Sequence, residues 1–490
     1  MNKSMWLNGV CTAFAFFMPV APSPAQTLTT LVNFQGTDGN APEYMTLVQG
    51  VGGELYGTTF YITIRGGEGP CDGGCGTIFK MTPAGALTTL YEFDGTDGAY
   101  PAAGLIQATD GSFYGTTSDS AGTSVGTVFK ITAGGALTTM YSFCSQGVPC
   151  TDGQQPYAGL VQATNGDLYG TTSSGGAGSA CPPSSGDPGC GTVFKITPSG
   201  ALTTLYNFCS QSGCADGLYP WGAMVQGFDG NFYGTSTEGG VYGWGSLFKI
   251  TPEGQLTTLH SFNLTDGADP YGSLVQANDG NFYGTTYGGG VGSDASGTIF
   301  KITPEGELTT LHTFNRSDGA TPVAGLVQAT DGNFYGTTSE GGASGAGTIF
   351  EIAPGGTLTT LHSFCTRGGC PDGSHPSGGL LQATDGSLYG ATTSGGADAY
   401  GTVFNLSVGL GPFVKTLPTS AKVGAAITIL GTNLTGATSV SFNGAAAVFT
   451  VNARGTAIST TVPSGATTGK IEVTTPGGIL VSNAGFRVAP

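Results

Sequence analysis

Leu274-Val275-Gln276-Ala277-Asn278-Asp279-Gly280-Asn281-Phe282-Tyr283-Gly284-Thr285-Thr286 is followed, after a glycine-rich connection, by Thr298-Ile299-Phe300-Lys301-Ile302-Thr303-Pro304-Glu305-Gly306-Glu307-Leu308-Thr309-Thr310-Leu311-His312-Thr313-Phe314. Four short runs rich in β-branched and aromatic residues are divided by turn residues, which is the pattern of strands. We label them A (Leu274 to Gln276), B (Phe282 to Thr286), C (Thr298 to Thr303) and D (Leu308 to Phe314). Asp279-Gly280 is a hairpin signal between A and B, and Pro304-Glu305-Gly306 turns C into D.

The pattern recurs. Its Leu-Thr-Thr element starts at Leu28, Leu87, Leu137, Leu202, Leu256, Leu308 and Leu358, giving seven units. Four antiparallel strands per unit at this period predict a blade architecture, an all-β seven-bladed β-propeller. The array opens on a lone D run, Leu28 to Phe34, and ends on A, B and C runs without a D. A closed ring reconciles the two ends, because the first strand completes the last blade and leaves no open edge. An open solenoid would leave both ends unpaired.

These motifs resemble the GloVer tandem repeats of exported bacterial proteins over residues 28 to about 408. The resemblance implies export and a repeat scaffold, and brings no reaction and no catalytic residues. Residues 411–490 have another texture, with Ile427-Thr428-Ile429-Leu430-Gly431-Thr432-Asn433 and Val473-Thr474-Thr475-Pro476-Gly477-Gly478 reading as strands and turns. This tail resembles an IPT/TIG domain, an immunoglobulin-like β-sandwich, which implies a spacer or contact module. The domain division expected is therefore 1–25, 26–408 and 411–490.

Residues 1–25 read as a signal peptide: Lys3, an apolar stretch from Met5 to Val20, then Ser23-Pro24-Ala25 before Gln26. An N-terminal anchor is the rival reading. Cys11 lies in this segment without the neighbours of a lipoprotein cleavage site. No later segment is long and apolar enough to span a bilayer as a helix. The other ten cysteines form five close pairs: Cys71 with Cys75, Cys144 with Cys150, Cys181 with Cys190, Cys209 with Cys214, and Cys365 with Cys370. Such pairs are expected for loop disulfides in an exported chain, where they act as staples rather than as the source of the fold. The spacing of Cys71 and Cys75 also suits zinc, but no second such pair or histidine cluster follows.

The 490 residues include 88 Gly and 26 Pro, which these turns absorb, and only 9% are charged. A net charge of −17 argues against nucleic acid and anionic membranes as partners. A secreted location, extracellular or periplasmic, follows from the leader and the cysteines.

Candidate chemistry begins with Asp38, Asp97, Asp152, Asp216, Asp266, Asp318 and Asp372, one in each Asp-Gly-x-x-Pro loop. They read either as a calcium-binding rim or as turn aspartates capping their own loops, the second being favoured. No other cofactor is expected. A Gln marks every A run, from Gln49 to Gln382, and reads as satisfying backbone groups between blades. His260, His312 and His362 alternate with Tyr91, Tyr141 and Tyr206 on D runs and read as packing or solvent-facing.

Departures from the repeat point to a site more directly. Trp221 and Trp244 are the two tryptophans after the leader; Tyr219 and Tyr242 accompany them, with Tyr271 and Tyr287 in the corresponding loops of the next unit. Such aromatics stack on sugar rings or on a partner's apolar surface, or pack loop against loop. Glu43, Glu68 and Asp269 are non-repeat acids in the same loops. The sequence carries no Gly-x-Ser-x-Gly elbow, no His-Glu-x-x-His and no phosphate loop. The expected function is an exported non-catalytic binding or scaffold protein contacting a glycan or a surface protein. The alternatives are a carbohydrate-active enzyme using acids on that face and a purely structural envelope role.

Overall fold

In a computed structural model the described residues are 26–62, 71, 74–120, 125–145, 147, 149–177, 181 and 189–489. The expected leader and Glu68 lie outside them. The described chain is β throughout apart from one 3₁₀ turn, Ser212–Cys214. The fifth unit shows the pattern: A is Val275–Gln276, B Phe282–Thr286, C Thr298–Ile302 and D Leu308–Thr313. They pair antiparallel in the order A-B-C-D, and six units repeat that order within themselves. A is shorter than its sequence suggests because the A-to-B connection takes five residues, Ala277 to Asn281, closed by Ala277 N donating to Asn281 O at 2.9 Å.

The remaining sheet is completed by the chain's opening strand. Thr27–Asn33 pairs with Thr402–Ser407, whose other neighbour is Leu388–Thr392. The C-to-D ladder shifts register near Phe300, leaving Leu311 unpaired, and the opening strand shifts at the matching place between Thr30 and Val32. That shared bulge identifies the opening strand as a D strand.

Two repeat devices hold neighbouring sheets together. Tyr283 of one B strand stacks on Phe334 of the next at 4.1 Å, as Tyr233 does on Phe282 at 4.0 Å. Offset stacking of buried rings adds about 0.5–1.5 kcal/mol beyond area burial. The second device is the Gln. Gln276 Oε1 accepts from Phe228 N at 2.8 Å and Gln328 Oε1 from Asn278 N at 3.0 Å, and the series returns on itself where Gln49 Oε1 accepts from Thr384 N at 3.0 Å. Each Gln thus satisfies a backbone donor of the adjacent sheet, and the sheets lie in a circle.

The tail forms two further four-stranded sheets around one buried cluster that includes Ile429, Val440, Phe442, Ile458, Ile471 and Val473. It packs against the end of the ring where the A-to-B hairpins lie. Thr456 Oγ1 donates to Val51 O at 2.8 Å, Asn483 Nδ2 to Gln328 O at 2.6 Å, and Phe413 N to Thr384 O at 3.0 Å. Arg454 pairs with Glu54.

These contacts fall where the repeat is broken. In the second, fourth and fifth units the hairpin Asp pairs with the C-strand Lys: Asp110 with Lys130 and Asp229 with Lys249, both at 2.8 Å, and Asp279 with Lys301 at 3.8 Å. The seventh unit has Asn405 at the lysine position. Lys415, on the tail strand Val414–Leu417, brings the positive charge to Asp385 instead. Burial pushes the Lys415 ammonium down to about 8, and Asp385 offsets part of that.

A lysine depressed below its ordinary value of about 10.4 leaves the unfolded chain holding the extra proton between the two values. Stability therefore rises as pH climbs from about 8 to about 10.4. Thermal melts over this range should show a less positive slope in Lys415→Met than in the native chain, Lys470, which burial also depresses, keeping the remainder; an unchanged slope would assign the rise to other groups.

Candidate functional site

On the opposite end of the ring, the D-to-A and B-to-C loops converge on the axis. The residue before each Pro is held in the left-handed region, with φ from 48° at Ala41 to 57° at Tyr100, and includes Asp269 at 53°. Asp269 N donates to Trp244 O of the preceding unit at 3.1 Å, while its carbonyl accepts from Tyr287 N of its own unit at 3.0 Å. The same two bonds recur at Tyr219, to Cys190 O and from Thr237 N. Each such residue ties two sheets together, so the residue after the Pro is delivered to the axis in a fixed place.

At that place the third, fourth and fifth units carry Tyr157, Trp221 and Tyr271, whereas the second, sixth and seventh carry Ala102, Val323 and Ser377. The first unit is one residue longer here and contributes Tyr44. Trp221 stacks on Tyr157 with centroids 4.2 Å apart and planes within 4°, meets Tyr271 edge-on at 5.4 Å and Tyr44 at 6.0 Å. Tyr271 meets Tyr287 edge-on at 5.4 Å. The rings of Tyr44, Tyr157, Trp221 and Tyr271 wall a cavity of about 250 Å³ whose other sides are small or aliphatic, including Ala102, Ala103, Leu105, Leu160, Ala324 and Gly325. At the other end of the axis the tail residues Thr416–Ser420 and Arg487 help line a second cavity of about 410 Å³.

Of the sequence candidates, Trp221, Tyr271 and Tyr287 therefore come together. Tyr219 packs instead beside Cys209 and Cys214. Tyr242 and Trp244 stand on the B-to-C loop, 61% and 41% exposed, with no ring contact to Trp221. Tyr44 and Tyr157 were not singled out from sequence. Their signal is an aromatic one or two residues after the repeat Pro, legible only when the seven units are aligned on it.

Two of the non-repeat acids stand close to rings of this cavity without lining it, Glu43 to Tyr44 and Asp269 to Tyr271. Burial raises the carboxyl of Glu43, the neighbour of Tyr44. Burial and then Glu238 raise that of Asp269. Tyr271 is pushed up to about 12 by burial, then by Asp269, Tyr287, Glu238 and Tyr44.

The repeat aspartates are occupied locally. Asp266 Oδ1 accepts from Asn263 N at 3.0 Å and its Oδ2 contacts His260 Nε2 at 3.0 Å. His312 pairs likewise with Asp318 at 2.9 Å and His362 with Asp372 at 2.8 Å. Tyr141 and Tyr206 donate to Asp152 and Asp216 at 2.7 and 2.8 Å, and Tyr91 donates to Asp97. Asp38 Oδ1 accepts from Gln35 N at 2.8 Å. These carboxylates accept bonds from their own loops, and no three of the seven gather within 4.8 Å among the described residues. The histidines are half-buried, paired with these aspartates and edge-on to Phe262, Phe314 and Phe364, which agrees with the packing side of the expectation rather than the solvent-facing one.

The five expected disulfides are present: Cys71 is bonded to Cys75, Cys144 to Cys150, Cys181 to Cys190, Cys209 to Cys214 and Cys365 to Cys370. Cys150 and Cys370 also organise backbone. Cys150 O accepts from Gly153 N at 3.0 Å and Gly176 N at 2.8 Å, and Cys370 O from Gly373 N and Gly396 N, both at 2.9 Å. In the fifth and sixth units, Leu264 O and Arg316 O accept the matching bonds from Gly290 N and Gly342 N at 2.8 Å. Neither residue can form a disulfide, so the loop shape belongs to the repeat and the sulfur bridge only staples it. Cys190 Sγ lies within 4.8 Å of the Cys209 and Cys214 sulfurs, the one such grouping of three ligand atoms among the described residues, and each of these sulfurs is already bonded to another.

Sheets and cavity together define an all-β repeat protein, propeller-like, with an aromatic-walled axial opening. The chain belongs to the Gloeobacter/Verrucomicrobia repeat family, whose model matches residues 16–182, 180–404 and 291–485. A comparison with curated proteins found no match. Among solved structures, a fungal alcohol oxidase of the AA5 family in complex with copper is 15% identical, covering 92% of this chain and 98% of that one at a TM-score of 0.47. A luciferin-regenerating enzyme is 11% identical over 79% and 98% at 0.41. An auxiliary nutrient binding protein from Bacteroides ovatus is 12% identical over 78% and 76% at 0.40. No helix among the described residues is long and apolar enough to cross a membrane.

Proposed function

We propose that this chain is an exported glycan-binding protein, a seven-bladed β-propeller over residues 26–408 with an IPT/TIG-like sandwich tail over 411–490, released after removal of residues 1–25. The observation that carries the reading is the Trp221 cluster: four rings from four units converge on one axial cavity whose remaining walls are small or aliphatic residues. Aromatic faces offer the apolar, flat surface that sugar rings stack on, and a rigid scaffold positions them at little entropic cost. The five disulfides fit an oxidising compartment outside the cytoplasm. The tail serves as a docked spacer that closes the far end of the axis, leaving the aromatic end for the ligand.

A glycan array tests this. The native chain should give a defined signal that Trp221→Ala weakens by about tenfold or more, as loss of a central aromatic anchor does. Trp244→Ala should weaken it less, because Trp244 makes no ring contact with the cluster. Silence of the native chain on every glycan would contradict the proposal.

A second reading has one observation in its favour, the raised carboxyls of Glu43 and Asp269 beside the cavity. Acids of this kind donate protons to glycosidic oxygens. Release of reducing ends from a polysaccharide panel, lost in Glu43→Gln or Asp269→Asn, would favour a carbohydrate-active enzyme.

A further inference from the structure

The acids at the aromatic opening lack the counter-charge that the other end of the ring supplies. Glu43 precedes Tyr44, Asp269 is two residues before Tyr271, and Glu238 follows Thr237, whose N–H and hydroxyl both donate to Tyr219 O at 3.1 and 3.0 Å. Among the described residues none of the three forms an ion pair, whereas Asp110, Asp229 and Asp279 each hold a lysine. Arg316 and Arg367, in D-to-A loops of later units, pair with none of them either. The opening therefore combines the rings of Tyr44, Tyr157, Trp221 and Tyr271, which line the cavity, with uncompensated carboxylates that stand behind them, Glu43 close to Tyr44 and Asp269 and Glu238 close to Tyr271. Both features attract a cation, and desolvation strengthens both.

A neutral sugar gains from the rings and from hydroxyl hydrogen bonds to the acids but neutralises no charge, and a uronic acid meets like charge. From the aromatic walls and the unpaired acids together we infer that the cavity receives an organic ammonium group. A protonated amino sugar carries that group if the glycan reading above holds; this inference rests on that reading for the site but makes a separate demand on the ligand. The chain's acidity then serves capture, since a negative opening raises the local concentration of cationic ligands and does so less at high salt.

The test uses the exported chain from Gln26 with Trp244→Phe, which leaves Trp221 as the only tryptophan. Its fluorescence is titrated with a glucosamine tetramer, an N-acetylglucosamine tetramer, an oligogalacturonate and tetramethylammonium chloride. The inference expects the glucosamine tetramer to bind about tenfold or more tighter than the acetylated one, tetramethylammonium to compete with it, and salt to weaken both. Adding Glu43→Gln and Asp269→Asn, singly and then together, should bring the two tetramers toward equal affinity while the melting temperature confirms folding.

Equal or tighter binding of the acetylated tetramer, or of oligogalacturonate, would overturn the ammonium inference and leave the glycan reading standing. Binding of tetramethylammonium with no oligosaccharide would uphold the inference and remove the glycan reading. No response to any probe would overturn both.

Discussion

Deleting residues 26–34 should abolish the cooperative thermal transition of the ring, and a synthetic peptide spanning those residues should restore it in trans. The opening strand supplies the D position of the last sheet, and Phe34, just beyond it, is fully buried, bonded through its N–H to Gly401 O at 3.1 Å and edge-on to Phe79 at 5.5 Å. Val32, Phe34 and Phe79 belong to one core cluster with Tyr389 and Val403. Truncating a buried Phe alone costs about 3–5 kcal/mol, against a total domain stability of about 5–15 kcal/mol. The deletion also exposes Thr402–Ser407 as an unpaired edge, which favours aggregation. Rescue by the peptide would be strand addition to that edge. A deletion variant that melts like the native chain would contradict ring closure.

Gly284→Ala should destabilise the ring by about 1–3 kcal/mol, even though replacing glycine within a strand ordinarily helps. A Cβ there would lie 2.6 Å from Phe300 Cζ and 2.8 Å from Leu274 Cδ2, and Phe300 is fully buried and cannot retreat. The contact recurs in every unit, for example at Gly115 with Phe129 and Gly390 with Phe404. The Tyr-Gly-Thr motif is thus explained by the ring that lies over its glycine. Urea midpoints should fall in Gly284→Ala and recover in part in Gly284→Ala with Phe300→Leu, which opens space for the new methyl. No loss in the single variant, or no recovery in the double, would contradict this packing.

The architecture was legible because seven near-copies average out local ambiguity, and because the lone D run at Leu28 has no partner unless the array closes. Within the candidate site the reading was partial for a physical reason. Trp221, Tyr271 and Tyr287 stand out as departures in neighbouring units, but Tyr44 reaches Trp221 only through the closure of the circle and is remote from it in sequence. Tyr219 looked equivalent to its neighbours, yet its left-handed backbone carries it into the disulfide-containing cluster. The docking of the tail was not legible, since it depends on surface fit. Its traces in the chain were Gly52-Gly53-Glu54 in place of a hairpin Asp-Gly, and Asn405 in place of a lysine; the structure pairs Glu54 with Arg454 and brings Lys415 near Asp385, the acid that Asn405 leaves without a lysine.

The aromatic opening is where the ligand is proposed to sit. A crystal structure of the chain soaked with the tightest-binding oligosaccharide from the array tests it most directly. The predicted result is a sugar ring in the axial cavity, in contact with Trp221 and at least one of Tyr44 and Tyr271. A sugar bound elsewhere, on the exposed Tyr242–Trp244 loop or between the ring and the tail, with the Trp221 cavity empty, would contradict it.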